Sequence, residues 1–444
     1  MESDLNTRPV ILICDDEKDR EDRWRSELAD IEAVSNTFDI QTARVPGSAS
    51  SGDDHVTDNR LSDIVAALEH RRLRARTDGY APGSYTYDDE AKILDATDIL
   101  VIDYDLLMIG VEEANRQGGA DSEILRRTAV SHLTGERVSY LARAYSKCGL
   151  VVAMNQFAKD KPTFDLNLTG HPRSYADLNI ASQELSNPGL WVADRTRWDA
   201  YRPWRWPVLS DAVAAHRRRV ADLLEGDTLD RSVVEYLGFP EGVAESMSRH
   251  VVDFIVSDSA ASIVDVTFRQ VAMESDIGFR RKDRPLDEES VAQVAAGRVA
   301  HWIERLVLPP QDIIVDAPHL ASRYPSLVDN SDDPNVWNGT ADLAQGMDSV
   351  LDDAPFHHAR FARQHWGSRP MWFWDTVGTT ESIPEVAEPW KAESPAFVFA
   401  EDCSRFIKSE DARTFVADVT SPYARRFAQK LDGVDYRPSV RFSM

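Results

Sequence analysis

Cysteine is scarce in this chain. Only Cys14, Cys148 and Cys403 occur in 444 residues, too few for a disulfide framework and without the paired spacing of a zinc site. They fit a reducing compartment, with Cys14 and Cys148 read as small core residues. Basic charge is the second deficit: 50 Lys and Arg stand against 75 Asp and Glu, a formal net charge of −25. A field of that sign repels phosphate backbones and anionic lipid, so neither nucleic acid nor a membrane is an expected partner. Long apolar runs are missing as well. None approaches the roughly 18 residues of a membrane span, and Met1 to Arg8 carries acids instead of an apolar signal core. The expectation is a soluble, cytoplasmic protein. There is no Gly-x-x-x-x-Gly-Lys-Ser/Thr loop, no Gly-x-Gly-x-x-Gly after the first strand, no His-Glu-x-x-His and no Gly-x-Ser-x-Gly. Bound nucleotide, a zinc protease and a nucleophile elbow are therefore not indicated.

What is present is an ordinary globular composition, 42% apolar and 28% charged. At a prior of roughly 150 residues per domain, the length suggests about two or three domains. Pro9 to Cys14 is apolar without alternation and stops at Asp15-Asp16-Glu17, the pattern of a strand buried on both faces. Lys18 to Asp30 reads as a helix, with Trp24, Leu28 and Ile31 on one side. Thr37 to Ala43, Ile99 to Ile102 and Leu150 to Ala153 are further strand candidates, and Leu190 to Val192 a last one. Leu61 to Arg76 and Asp211 to Leu224 read as helices. Strands alternating with helices predict an α/β fold with an open parallel sheet over residues 1–226. From 227 to 444 the pattern predicts a mostly α-helical output or scaffold region, closed by a small α+β piece with strands at Ala396 to Ala400 and Arg413 to Val419.

Open parallel sheets bind ligands beyond the carboxyl ends of their strands. Asp15 and Asp16 end the first strand and Asp103 ends a neighbouring one, so three carboxylates converge on one edge. Clustered carboxylates repel one another, and Mg²⁺ relieves that cost through oxygen ligands. The bland alternative is a solvated acidic edge in a protein acidic throughout, and spacing alone leaves both open.

Val10-Ile11-Leu12-Ile13-Cys14-Asp15-Asp16-Glu17 resembles the opening of response-regulator receiver domains, in which an acidic pair holds Mg²⁺. Asp98-Ile99-Leu100-Val101-Ile102-Asp103 is similar to the third strand of that family, and Gln41-Thr42-Ala43 to the end of its second. The resemblance covers roughly residues 8–226. It implies a receiver-like (flavodoxin-like) sheet with large insertions, with Asp103 as the phosphoacceptor position and Asp15, Asp16 and Asp103 as metal ligands. The departures weigh more. Receivers carry Ser or Thr at the end of the fourth strand, where Met154 and Asn155 stand, and Lys-Pro after the fifth, where Ala193, Asp194, Arg195 and Thr196 follow. Those absent groups stabilise developing phosphoryl charge. Asn155 after a one-residue slip of register, Lys159 or Lys161 folding back, or Asp105 acting as a metal ligand, would be the substitutes in view. The resemblance is closest to the divergent receivers of bacterial antiphage systems. It implies a non-enzymatic, degenerate receiver that meets a histidine-kinase-like or Hsp90-like ATPase, with a homodimer also compatible. A working response regulator phosphorylated on Asp103 with Mg²⁺ is the alternative, and a metal-dependent phosphohydrolase a weaker one.

Other constellations have bland readings. His357, His358 and His365 lack a third ligand at zinc spacing. Trp198, Trp204 and Trp206, interleaved with Arg202 and Arg205, could stack on bases but read first as packing between the halves. Trp366, Trp372, Phe373 and Trp374 read as core or subunit interface. Arg217 to Arg219 and Arg280 to Arg284, flanked by acids, read as solvated.

Overall fold

Five short strands form an all-parallel sheet in the first part of the chain, the central ones apolar enough to be buried on both faces. The computed structural model describes residues 8–15, 17–43, 60–76, 87–104, 106, 133–155, 176–191, 208–256, 262–273, 288–316, 318–319, 323, 366–367, 371–375, 397–400, 405–416 and 425–430. The strands are β1 (Val10–Cys14), β2 (Asp39–Thr42), β3 (Ile99–Asp103), β4 (Leu150–Asn155) and β5 (Leu178–Ala181). Their order is β2-β1-β3-β4-β5, with every neighbouring pair parallel. Continuous burial explains the missing alternation: Ile11 to Cys14 and all of β3 have no water-facing side.

Helices α1 (Lys18–Asp30), α2 (Glu32–Thr37), α3 (Arg60–Arg76), α4 (Tyr87–Asp95) and α5 (Gly135–Tyr145) connect these strands. In α1 the buried residues are Glu21, Trp24 and Leu28, one helical face at spacings of three and four. Two aspartates just ahead of strands clamp the neighbouring strand's start. Asp98 accepts from the Val10 amide at 2.8 Å while its own amide donates to the Val10 carbonyl at 3.1 Å. Asp177 does the same to Val151, at 2.7 Å and 2.8 Å. Asp98, quoted above for its likeness to a third strand, thus has a local job in setting the β1–β3 register.

The final strand differs from the sequence-based expectation. Leu190 does not begin a strand. Pro188–Trp191 is a short helix, and β5 lies earlier, at Leu178–Ala181. Proline has no amide to give a ladder but suits a first helical turn. Trp191 then buries its ring edge-on to Phe38, centroids 5.8 Å apart, and donates from Nε1 to the Leu185 carbonyl at 2.6 Å.

The chain divides into two compact units: Met1–Lys161, Leu168–Val192 and Ser275–Ser290 form the first; Pro162–Asn167, Ala193–Glu274 and Val291–Met444 the second. In this division α6 (Leu209–Leu223) falls in the second unit, whereas the sequence-based boundary at 227 put it in the first. Its buried residues Leu209, Val213, Arg219 and Leu223 explain why: the Arg219 guanidinium lies 5.8 Å from the ring centroid of Trp366, also in the second unit. Arg219 is thus no part of a solvated face, and burial lowers its pKa to about 10. Trp366, Trp372 and Phe373 are core residues.

The second unit also contains two small sheets. In one, β6 (Ile314–Asp316) pairs antiparallel with β7 (Met371–Phe373). In the other, β8 (Phe397–Ala400), β9 (Arg405–Lys408), β10 (Ala412–Val416) and β11 (Arg425–Gln429) run in the order β10-β11-β8-β9. A buried ion pair, Arg426 to Asp316 at 3.0 Å, ties β11 to β6. Beside it Gln311 holds a left-handed backbone, φ 56°. Its side-chain oxygen accepts from the Asp316 amide at 3.2 Å and meets His319 Nδ1 at 3.1 Å. Among the described residues no helix is long and apolar enough to cross a membrane.

Candidate functional site

The order β2-β1-β3-β4-β5 reverses direction between β1 and β3, which is where an open parallel sheet forms a crevice at its carboxyl edge. Cys14 pairs with Ile102, so the next residue of each strand, Asp15 and Asp103, meets the other across that edge. Both are buried, Asp15 1% and Asp103 0% exposed. The structure therefore brings together two of the three acids singled out in the sequence. Asp16, the third, lies outside the described residues, as do Asp105, Lys159, Lys161, Arg195, His357, His358, His365 and the Trp198 to Trp206 cluster.

A residue that the sequence reading passed over joins them. Arg20, in the first turn of α1, places Nε 3.6 Å from Asp15 Oδ1 and Nη1 3.6 Å from Asp103 Oδ2. Its Nη2 reaches Glu17 Oε1 at 2.6 Å. The local chain makes this possible. Asp15 Oδ1 accepts from the Glu17 amide at 2.6 Å, an Asx-type turn that swings α1 away from β1. Arg20 and Glu21 then donate their amides to the Glu17 carbonyl. Nothing in the run Lys18-Asp19-Arg20-Glu21-Asp22-Arg23 marks Arg20 as different from its charged neighbours; only the tertiary fold does. Glu21 is the second residue missed. It is buried and accepts from the Ala43 amide at 3.0 Å, fastening α1 to the end of β2.

The other flank of Asp103 is closed by backbone. Gly135, at the start of α5, donates to the Tyr104 carbonyl at 2.9 Å. A Cβ there would fall 2.2 Å from the Asp103 carbonyl oxygen. The preceding Thr134 caps α5, accepting from the Arg137 amide at 3.2 Å; Thr-Gly-Glu-Arg is a start signal that could have been read from the sequence.

Among the described residues, the groups a phosphoryl acceptor needs are not seen around this edge. Met154 of β4 is the ladder partner of Asp103 and is buried; a thioether donates nothing. Moving the last strand to Leu178–Ala181 shifts the position where a lysine was sought, yet Ser182 to Arg195 contains none. Cys14 and Cys148 are buried free thiols. Burial, then Glu21, Cys148 and Asp15, raise the Cys14 pKa well above its usual value. Burial likewise pushes Cys148 up to about 12. Both are inert core residues.

A Mg²⁺ ion is what the family resemblance implies here. Mg²⁺ requires oxygens at about 2.0–2.1 Å in octahedral array, whereas Asp15 Oδ1 and Asp103 Oδ2 each lie 3.6 Å from the Arg20 guanidinium. An ion on those two oxygens does not fit the described residues while Arg20 stays in place. Among the described residues, no group of three or more His, Cys, Asp or Glu side chains is arranged to hold a metal. The chain matches no family model, no curated protein and no solved structure.

Proposed function

We propose that this chain is a signalling and interaction protein whose first unit is a degenerate, receiver-like domain and whose second unit serves as output or scaffold. The observation that carries the reading is the carboxyl edge of the sheet. The strand order β2-β1-β3-β4-β5 sets Asp15 beside Asp103, while Met154 is the ladder partner of Asp103 and Ser182 to Arg195 contains no lysine, and these features support the reading. An acceptor aspartate without hydroxyl and lysine donors lacks the fixed positive and hydrogen-bonding groups that neutralise a transferring phosphoryl. Input then comes through protein contact, and the resemblance points to a histidine-kinase-like or Hsp90-like ATPase of a bacterial antiphage system. The role is non-catalytic, and the location proposed is the cytoplasm.

Binding of the full-length chain to a purified ATPase of this type tests the reading. Wild type and Asp103→Asn should bind equally, with or without acetyl phosphate. A requirement for both Asp103 and acetyl phosphate would instead support a working response regulator.

A further inference from the structure

Arg20 is a cation placed where its own helix disfavours it. A positive side chain in a first turn opposes the helix dipole, a loss of roughly 0.3–1 kcal/mol at a surface site. Yet Arg20 is held there by contacts to three carboxylates: Asp15 and Asp103, each at 3.6 Å, and Glu17 at 2.6 Å. Its side chain is only 20% exposed. Two of those carboxylates are buried and come from adjacent strands. Without a counter-charge their proximity would be costly.

Building on the degenerate-receiver reading, we propose that Arg20 is a resident counter-ion of this edge, offsetting part of the charge of Asp15 and Asp103, and that Mg²⁺ competes with Arg20 for them. Two features support this. The guanidinium is planar and forked, so a single side chain can face carboxylates on two strands. Glu17 holds the far nitrogen, which fixes the fork over the edge instead of letting it swing into solvent. A divalent ion drawn to the same oxygens would sit against a like charge and must expel Arg20 first. Mg²⁺ therefore binds this edge more weakly with Arg20 in place than without it.

The experiment is a Mg²⁺ titration of the full-length protein followed by calorimetry and by thermal unfolding, for wild type, Arg20→Met and Arg20→Gln. Wild type should show no saturable Mg²⁺ binding in the low-millimolar range. The variants should unfold at lower temperature without metal. They should also bind Mg²⁺ at least about tenfold more tightly than wild type, a step worth about 1.4 kcal/mol, and regain unfolding temperature as they do. Adding Asp103→Asn to Arg20→Met should abolish that gain. Wild type that binds Mg²⁺ as tightly as the variants, with binding lost in Asp103→Asn, would overturn the proposal. So would folded variants that gain no affinity. If both variants fail to fold, the wild-type titration alone decides. The degenerate-receiver reading fails by a different signal, a phosphoryl adduct on Asp103, which can be scored in the same samples whatever the Mg²⁺ affinity.

Discussion

Asp103 and Met154 stand side by side at the carboxyl edge of the sheet, Cα partners in the β3–β4 ladder. Both are fully buried. The acid therefore has on this flank a thioether that can pack but cannot donate, and on the β1 flank the guanidinium of Arg20. The guanidinium offsets part of the charge at this edge, and a buried apolar side chain takes the other flank.

The close approach of α5 to β3 makes Gly135 intolerant of any side chain. A Cβ would meet the Asp103 carbonyl oxygen at 2.2 Å, with the Tyr104 Cα and Asp103 carbonyl carbon next at 2.8 and 2.9 Å. All three are backbone atoms and cannot rotate away. Gly135→Ala should cost roughly 1–3 kcal/mol of stability in chemical denaturation. Gly297, inside the helix Glu288–Trp302, has nothing within 4 Å of its Cβ position. Gly297→Ala should therefore stabilise by about 0.5–1 kcal/mol. Equal effects at the two sites would contradict the packing described for α5.

The Asp316–Arg426 pair in the second unit is buried on both sides, 0% and 3% exposed. Removing one partner strands a charge in the interior, so Arg426→Met should destabilise by about 3–5 kcal/mol. Adding Asp316→Asn to that variant should recover part of the loss. A double-mutant cycle that comes out additive would show that the two charges do not depend on each other.

His319 gives the stability a pH signature. Burial, reinforced by Arg426 and Arg323 and opposed by Asp316, lowers its pKa to about 3. In an unfolded chain a histidine takes up its proton near pH 6.5. Between those two values the unfolded state binds the extra proton, so the unfolding free energy falls as pH is lowered from 6.5 toward 3. Below 3 this loss is complete. From pH 7 to pH 5 the contribution amounts to about 2 kcal/mol. Wild type should lose that much more stability over the interval than His319→Gln does. The same pH dependence in both proteins would mean that His319 is not held neutral in the fold.

The sheet was legible where burial alone decides it. β1, β3 and β4 are apolar at nearly every position, and a strand with no solvent face leaves that mark in any sequence. β5 did not, because Leu178-Asn179-Ile180-Ala181 is too short and too polar to stand out from a loop, and Leu190-Trp191-Val192 looked better. Pro188 was the physical clue against that choice. In the second half, β6 and β7 are three residues each and leave no periodicity to find. Asp15 and Asp103 could be found because strand-terminal acids have a fixed address at the edge of a parallel sheet. Arg20 could not, since its role depends on the angle at which α1 leaves the Asp15 turn. Arg219 was hidden for a similar reason: its charge suggested solvent, and the Trp366 ring that covers it lies far along the chain.

The most direct measurement is phosphoryl transfer from acetyl phosphate to the full-length protein in the presence of Mg²⁺, read by intact mass, with Asp103→Asn alongside. A degenerate receiver gives no adduct on either protein. An adduct on wild type that is missing from Asp103→Asn would contradict that reading and make Asp103 a working phosphoacceptor.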